Sequence, residues 1–158
     1  MSKFSVKKNI AKAKTISTEI YSSAGAYEAF KEKIFACSWQ FIGDTDLVKD
    51  KGSCYPFTLL NGYLNEPLLL TKDETEKIHC LSNVCTHRGN LVINEPCKVA
   101  NLRCKYHGRM FNLDGKFKSM PEFKEVENFP TEDDNLHQLP LFQWSKLLFT
   151  TLSKKYKP

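Results

Sequence analysis

The side chains best suited to chemistry lie in two short segments, Cys85-Thr86-His87-Arg88-Gly89 and Cys104-Lys105-Tyr106-His107-Gly108. Their pattern is Cys-x-His, a spacer of 16 residues (88 to 103), then Cys-x-x-His, with a glycine close behind each histidine. Each segment offers one thiolate and one imidazole, and two such loops facing each other supply two of each. Thiolates are soft and charged and suit ferric iron bridged by sulfide. Neutral imidazoles on a second iron reduce the negative charge of the cluster and raise its potential. The chemistry implied is one-electron transfer. Structural zinc is an alternative, but zinc sites usually pair Cys with Cys and His with His, whereas both segments here are mixed. Free cysteines beside surface histidines are the remaining reading. Gly89 and Gly108 lack a Cβ, which lets the backbone turn sharply and bring amide N–H groups close to the sulfurs.

The elements that must position these loops are short strands. Tyr55 to Leu60, Leu68 to Thr71, Lys77 to Ser82, Val99 to Arg103, Arg109 to Leu113 and Leu147 to Thr150 are apolar runs. Asn61-Gly62, Asn65-Glu66-Pro67, Lys72-Asp73-Glu74 and Asp114-Gly115 are turn signals between or after them. Asp114-Gly115, flanked by Met110 to Leu113 and Lys116 to Lys118, is the clearest hairpin. Upstream, Tyr27, Phe30, Ile34 and Phe35 recur at helical spacing, predicting a helix from about Ser23 to Ala36 that docks its aromatic face on the domain body. From Met120 the sequence turns acidic and proline-punctuated, through Pro121, Pro130 and Pro140.

At 158 residues the chain is long enough for one domain with a real core. No apolar run approaches the roughly 20 residues of a membrane helix. The Lys-rich start has no signal-peptide apolar stretch, so a solvated arm over 1–22 is expected ahead of an organelle-targeting helix, and the setting expected is cytoplasmic. The net charge of +5 concentrates at the two ends. It forms no basic face with aromatic support, which argues against nucleic-acid binding. The six cysteines belong to no small secreted scaffold, and Cys37, Cys54, Cys80 and Cys97 are expected to be free, semi-buried thiols.

The two segments resemble the cluster-binding boxes of Rieske domains, in the form found in the large subunits of aromatic ring-hydroxylating oxygenases: Cys-x-His-Arg-Gly and Cys-x-Tyr-His-Gly. Arg88 and Tyr106 both match that form. The likeness extends to Phe30 to Phe35 with Trp39, to Ser82-Asn83-Val84, and to Phe111 to Gly115 followed by Pro121, so it runs from about Ser22 to Thr151. It implies a mainly β fold, a Rieske-type antiparallel β-sandwich with a cluster-binding subdomain of two loops and an amino-terminal helix. The domain would cover 23–152, its subdomain about 83–121, and 153–158 would be a tail or the start of a further domain.

The resemblance also implies a [2Fe–2S] cluster, with Cys85 and Cys104 on one iron and His87 and His107 on the other. Arg88, Gly89, Tyr106, Gly108 and Pro121 would surround these ligands. Respiratory Rieske domains carry an extra cysteine in each box, joined by a disulfide; the corresponding positions here are Asn90 and Tyr106. Without that bridge the potential is expected near the low end of the Rieske range, roughly −150 mV.

Family members place a catalytic domain after this one, with a mononuclear Fe(II) held by two histidines and a carboxylate. The sequence has four histidines. The two outside the boxes, His79 and His137, do not form the family's Asp-x-x-His-x-x-x-x-His arrangement, and each is expected at the surface or half-buried. Substrate hydroxylation by this chain alone is therefore not expected. The implied partners are a ferredoxin or flavin-dependent reductase as donor and an oxygenase catalytic domain as acceptor, in a possible homotrimer when full length. A stand-alone Rieske ferredoxin is the alternative, and a zinc-stabilised binding module a third reading. The ending at Lys157-Pro158 and the helix before the core favour the first.

Overall fold

Residues 5–123 and 125–153 are described by the computed structural model, and within them eleven strands form three antiparallel sheets. In chain order the strands are β1 (Gln40–Asp44), β2 (Ser53–Leu59), β3 (Glu66–Lys72), β4 (Ile78–Ser82), β5 (Cys97–Lys98), β6 (Leu102–Arg103), β7 (Met110–Phe111), β8 (Phe117–Ser119), β9 (Gln138–Leu139), β10 (Leu141–Trp144) and β11 (Leu147–Thr150). The middle sheet has the order β5-β2-β3-β4-β9, flanked by β1-β11-β10 and β6-β7-β8.

The central strand β3 explains the layering. Leu68, Leu69, Leu70 and Thr71 are all fully buried. Successive side chains of a strand point to opposite faces, so both faces of β3 must be covered. Leu68 and Leu70 pack with Val48, Leu59, Cys80, Leu139 and Leu148 beneath the sheet β1-β11-β10. Leu69 enters the other core with Leu81, Val92, Ile93, Leu102, Phe111, Leu113 and Leu136. Burying each leucine contributes about 1.5–3 kcal/mol, and the apolar run in the sequence is that of a strand covered on both sides. The Thr71 hydroxyl donates to Leu113 C=O at 2.6 Å and ties the middle sheet to the loop-bearing layer.

The hairpin expected at Asp114-Gly115 joins β7 and β8. Gly115 has φ +86, and a Cβ there would lie 2.9 Å from Leu81 Cδ2, so the turn needs glycine both for conformation and for space.

Several expectations need correction. The helix is shorter than expected: α1 (Glu19–Ser22) is followed by α2 (Ala24–Lys33), capped by the Ser23 hydroxyl, and a 3-10 turn, Phe35–Cys37, completes the segment. Most of its aromatic face does not dock: Tyr27, Ile34 and Phe35 are exposed, Phe30 is half-buried, and Ala26 alone in α2 is buried. Lys31, on the same helix, places its ammonium over the Tyr27 ring and over the Tyr63 ring of the body. The run 99–103 is not one strand, because β5 and β6 pair with different sheets. Cys37 is exposed rather than semi-buried. His79 is buried and hydrogen-bonded to Asp73 at 2.7 Å, whereas His137 is exposed.

The expected amino-terminal arm holds a 3-10 turn at Ile10–Lys12 as well as α1, and residues 1–4 lie outside the described residues. Of the expected tail, Ser153 alone is described. No helix among the described residues is long and apolar enough to cross a membrane.

Candidate metal centre

The two Cys/His segments fold as near copies of each other. In the first, Cys85 N–H donates to Asn90 C=O at 2.9 Å and Gly89 N–H to Cys85 C=O at 3.0 Å. In the second, Cys104 N–H donates to Arg109 C=O at 2.9 Å and Gly108 N–H to Cys104 C=O at 3.0 Å. Both glycines take positive φ, +71 and +76. A Cβ on Gly108 would also stand 3.2 Å from Pro121 Cγ, so Pro121 lies against the second loop.

The thiols and the imidazoles segregate. Cys85 and Cys104 are each only 2% exposed and belong to the same apolar core. His87 and His107 sit at the half-buried rim, with ring centroids 4.8 Å apart in an edge-to-face arrangement. Among the described residues no three His, Cys, Asp or Glu side chains are drawn together around one ion. The four groups stand as a sulfur pair inside and a nitrogen pair outside, a donor set that fits two bridged irons held by unlike ligands.

The electrostatics treat the two thiols differently. Burial opposes ionisation of Cys104, but N–H groups of Tyr106 and His107, the Cys85 thiol and the Asn90 amide outweigh it and lower its pKa. Cys85 moves the other way, raised first by burial, and the neighbouring Cys104 adds to the rise. In such a close thiol pair the first proton loss belongs to the two sulfurs together. His87 is lowered by burial and by the nearby His107, Arg88 and Arg109, which keeps its ring neutral.

Of the residues expected around the ligands, Tyr106 is 59% exposed and stacks on His107 at 3.8 Å, while Arg88 and Gly89 are exposed. Other side chains, which the motifs did not single out, brace the loops. Asn90 donates to Cys104 Sγ at 3.7 Å and so joins the first loop to the second. Buried Asn83 clasps Ile93 through both ends of its amide, at 2.7 and 3.0 Å, and anchors the return of the first loop. Buried Arg109 pairs with Asp134 and lies against the rings of Phe111, Phe117 and Phe129. Asp134 C=O also accepts from the Thr86 hydroxyl at 2.8 Å, so one turn, Glu132–Asp134, holds both loops. Only the hydrogen-bonding capacity of these residue types hints at such roles, because their partners are distant in sequence.

Three antiparallel layers carrying two matched Cys/His loops at one end define a Rieske-type iron–sulfur domain. The Rieske [2Fe-2S] domain family matches residues 38–130, more than half of the chain, and the chain belongs to that family. Among curated relatives, choline monooxygenase, chloroplastic, of Beta vulgaris is 27% identical over 134 residues, 85% of this chain and 29% of that protein. Carnitine monooxygenase oxygenase subunit of Escherichia coli (strain K12) is 25% identical over 145 residues, covering 91% and 38%.

Among solved structures, the apo form of the quaternary ammonium Rieske monooxygenase CntA superposes with a TM-score of 0.77 at 22% identity, over 89% of this chain and 40% of that one. Naphthalene 1,2-dioxygenase from Rhodococcus sp. bound to indole gives 0.76 at 23%, over 88% and 32%. These two likenesses show the fold. The chain spans about a third of the length of the curated relatives it matches.

Proposed function

We propose that Cys85, His87, Cys104 and His107 hold the Rieske [2Fe–2S] cluster and that the chain is the electron-delivering domain of a Rieske oxygenase large subunit. When bound, the cluster supplies a one-electron couple. The observation that carries the reading is the segregation of the two ligand pairs: buried thiols behind, imidazoles at the rim. Buried sulfurs keep water from the thiolate side, and amide groups of His87, Tyr106 and His107 donate to them. The two imidazoles at the rim offer the short path by which electrons enter and leave.

In the longer protein, electrons would arrive from a ferredoxin or flavin-dependent reductase and pass to a mononuclear non-haem iron in a catalytic domain, in this reading that of a neighbouring subunit in a trimer. The setting would be cytoplasmic. The extents proposed are 23–152 for the domain and about 83–121 for its loop-bearing part, after a basic arm and before a further domain. The curated relatives named above are a choline monooxygenase and a carnitine monooxygenase oxygenase subunit. In this reading, substrate selection belongs to the part of such proteins that this chain does not span.

The test is electron paramagnetic resonance of the reduced, iron-loaded chain. An average g value typical of mixed His/Cys ligation is expected, and it should vanish in His87→Ala or His107→Ala. An all-cysteine signal, or a colourless protein containing zinc, would overturn the assignment.

A further inference from the structure

Cys54 and Cys97 stand outside the ligand set. β2 and β5 pair antiparallel with Cys54 directly opposite Cys97. Val99 N–H donates to Gly52 C=O at 3.0 Å and closes the end of this short ladder, while Gly52 N–H donates to Lys72 C=O at 2.8 Å. Residues directly opposed in an antiparallel ladder have Cα atoms roughly 4.5–5.5 Å apart. Disulfides span about 4.4–6.8 Å between Cα atoms and need converging Cβ directions. Opposed residues on one sheet face meet both conditions, and Cys97 packs against the core that contains Cys54.

The two thiols differ in access. Cys54 is 2% exposed, whereas Cys97 is half-buried on the wall of a cavity of about 540 Å³ that also reaches Val92, Ile93, Val99, Arg103 and Cys104. Burial pushes the Cys54 thiol up to about 12, and an oxidant entering the cavity meets the accessible sulfur of Cys97 first.

We propose that Cys97 and Cys54 form a modification site, a cross-strand dithiol that a hydroperoxide converts to a disulfide. In the first step the Cys97 thiolate attacks the hydroperoxide and the O–O bond breaks. Cys97 becomes a sulfenic acid, and the departing oxygen takes a proton and leaves as water or an alcohol. In the second step the Cys54 sulfur attacks the sulfenic sulfur, the S–S bond forms, and the sulfenic hydroxyl leaves with the Cys54 proton as water. The dithiol loses two electrons and two protons, and the hydroperoxide gains them. The new ring encloses residues 54–97, including the whole first ligand loop. It fixes β5 to β2 one short turn before the second loop begins.

This site does not depend on the electron-transfer reading, and its test reads thiol chemistry. The full chain, iron-loaded and iron-free, is treated with one equivalent of hydrogen peroxide, alkylated in acid, digested with trypsin without reductant and mapped by mass spectrometry. The expected product joins peptide 52–72 to peptide 89–98 with loss of two hydrogens, and dithiothreitol reverses it. Oxidised chain should also melt more than about 5 °C higher than reduced chain. In Cys54→Ser the reaction should stop at a Cys97 sulfenic acid that dimedone captures, and in Cys97→Ser Cys54 should stay reduced. Should Cys54→Ser fail to fold, the map of the parent chain decides alone. Linkage of 89–98 to 78–88 or 104–105, or sulfinic acid at Cys97 beside unmodified Cys54, overturns the proposal.

Discussion

Arg109 is the side chain whose removal should most reveal how the loops are held. Its side chain is 4% exposed, it pairs with Asp134, and its guanidinium lies 5.0 to 5.8 Å from three phenylalanine ring centroids. Truncation to alanine removes cation–π contacts of about 0.5–1 kcal/mol each. It also strips Asp134 of its partner, though the 18% exposure of that carboxylate limits the penalty. Arg109 Nε has no hydrogen-bond partner, a cost that the arginine itself carries and that truncation relieves. The net loss is about 3 kcal/mol, a large share of the roughly 5–15 kcal/mol that holds a domain together. In a domain of this size that corresponds to a fall in Tm of roughly 6–12 °C.

The assay is thermal unfolding of the iron-loaded chain followed by circular dichroism, with Arg109→Met beside Arg109→Ala. Methionine keeps an apolar stem against the rings and should recover about half of the loss. A Tm for Arg109→Ala within about 2 °C of the parent, with normal iron content, would show that the Arg109–Asp134 clamp does not hold the loops.

Three other outcomes follow from single contacts. Asn90→Leu removes a donor to Cys104 Sγ; because such a bond favours the more negative reduced state, the midpoint should drop by about 20–40 mV, from a parent value expected near roughly −150 mV, and an unchanged redox titration would refute the role. Gly115→Ala puts a Cβ against Leu81 at a φ of +86, and chemical denaturation should show a loss of about 2–4 kcal/mol. Asp73 is lowered from 3.8 to about 2: burial opposes ionisation, but hydrogen bonds from Thr75, His79 and Lys77 outweigh it. A carboxylate with a depressed folded-state pKa contributes stability that is complete above its unfolded value and lost as pH falls through the folded one. Tm should therefore fall more steeply between pH 4 and pH 2 in the parent than in Asp73→Asn, and parallel curves would contradict this.

What could be read in advance depended on how local its cause is. The ligand loops and the Asp114-Gly115 turn are specified within a few residues, and the structure places the loops face to face and the turn between β7 and β8. β3 was legible because a strand covered on both faces must be apolar throughout. β1 was not: Gly43, with φ +119, interrupts it, and its register shifts between Phe41 and Gly43, which erases simple alternation. The helix misled for a related reason. Tyr27, Ile34 and Phe35 have the spacing of a buried face, yet periodicity cannot say whether a neighbour is there to bury it. Asn90, Asn83, Arg109 and Asp134 act through partners 10 to 48 residues away, a separation no motif encodes.

The near-identity of the two loops carries one further consequence. Their backbones repeat the same hydrogen bonds, yet the histidine is the third residue of one and the fourth of the other. A common frame therefore delivers the imidazoles from different loop positions, and their rings meet edge to face instead of stacking. Loops with so few internal bonds cannot maintain that angle by themselves, since each is closed by two backbone contacts and a glycine. Rigidity must come from outside, and it does so at separate points: Asn83 holds the return of the first loop, Asn90 ties the first loop to the second, and the Glu132–Asp134 turn grips both through Thr86 and Arg109. Prepositioned donors lower the reorganisation that accompanies a change of charge at the centre. Loosening any one clamp should therefore slow electron exchange before it releases iron, and separate measurement of those two rates would distinguish bracing from ligation.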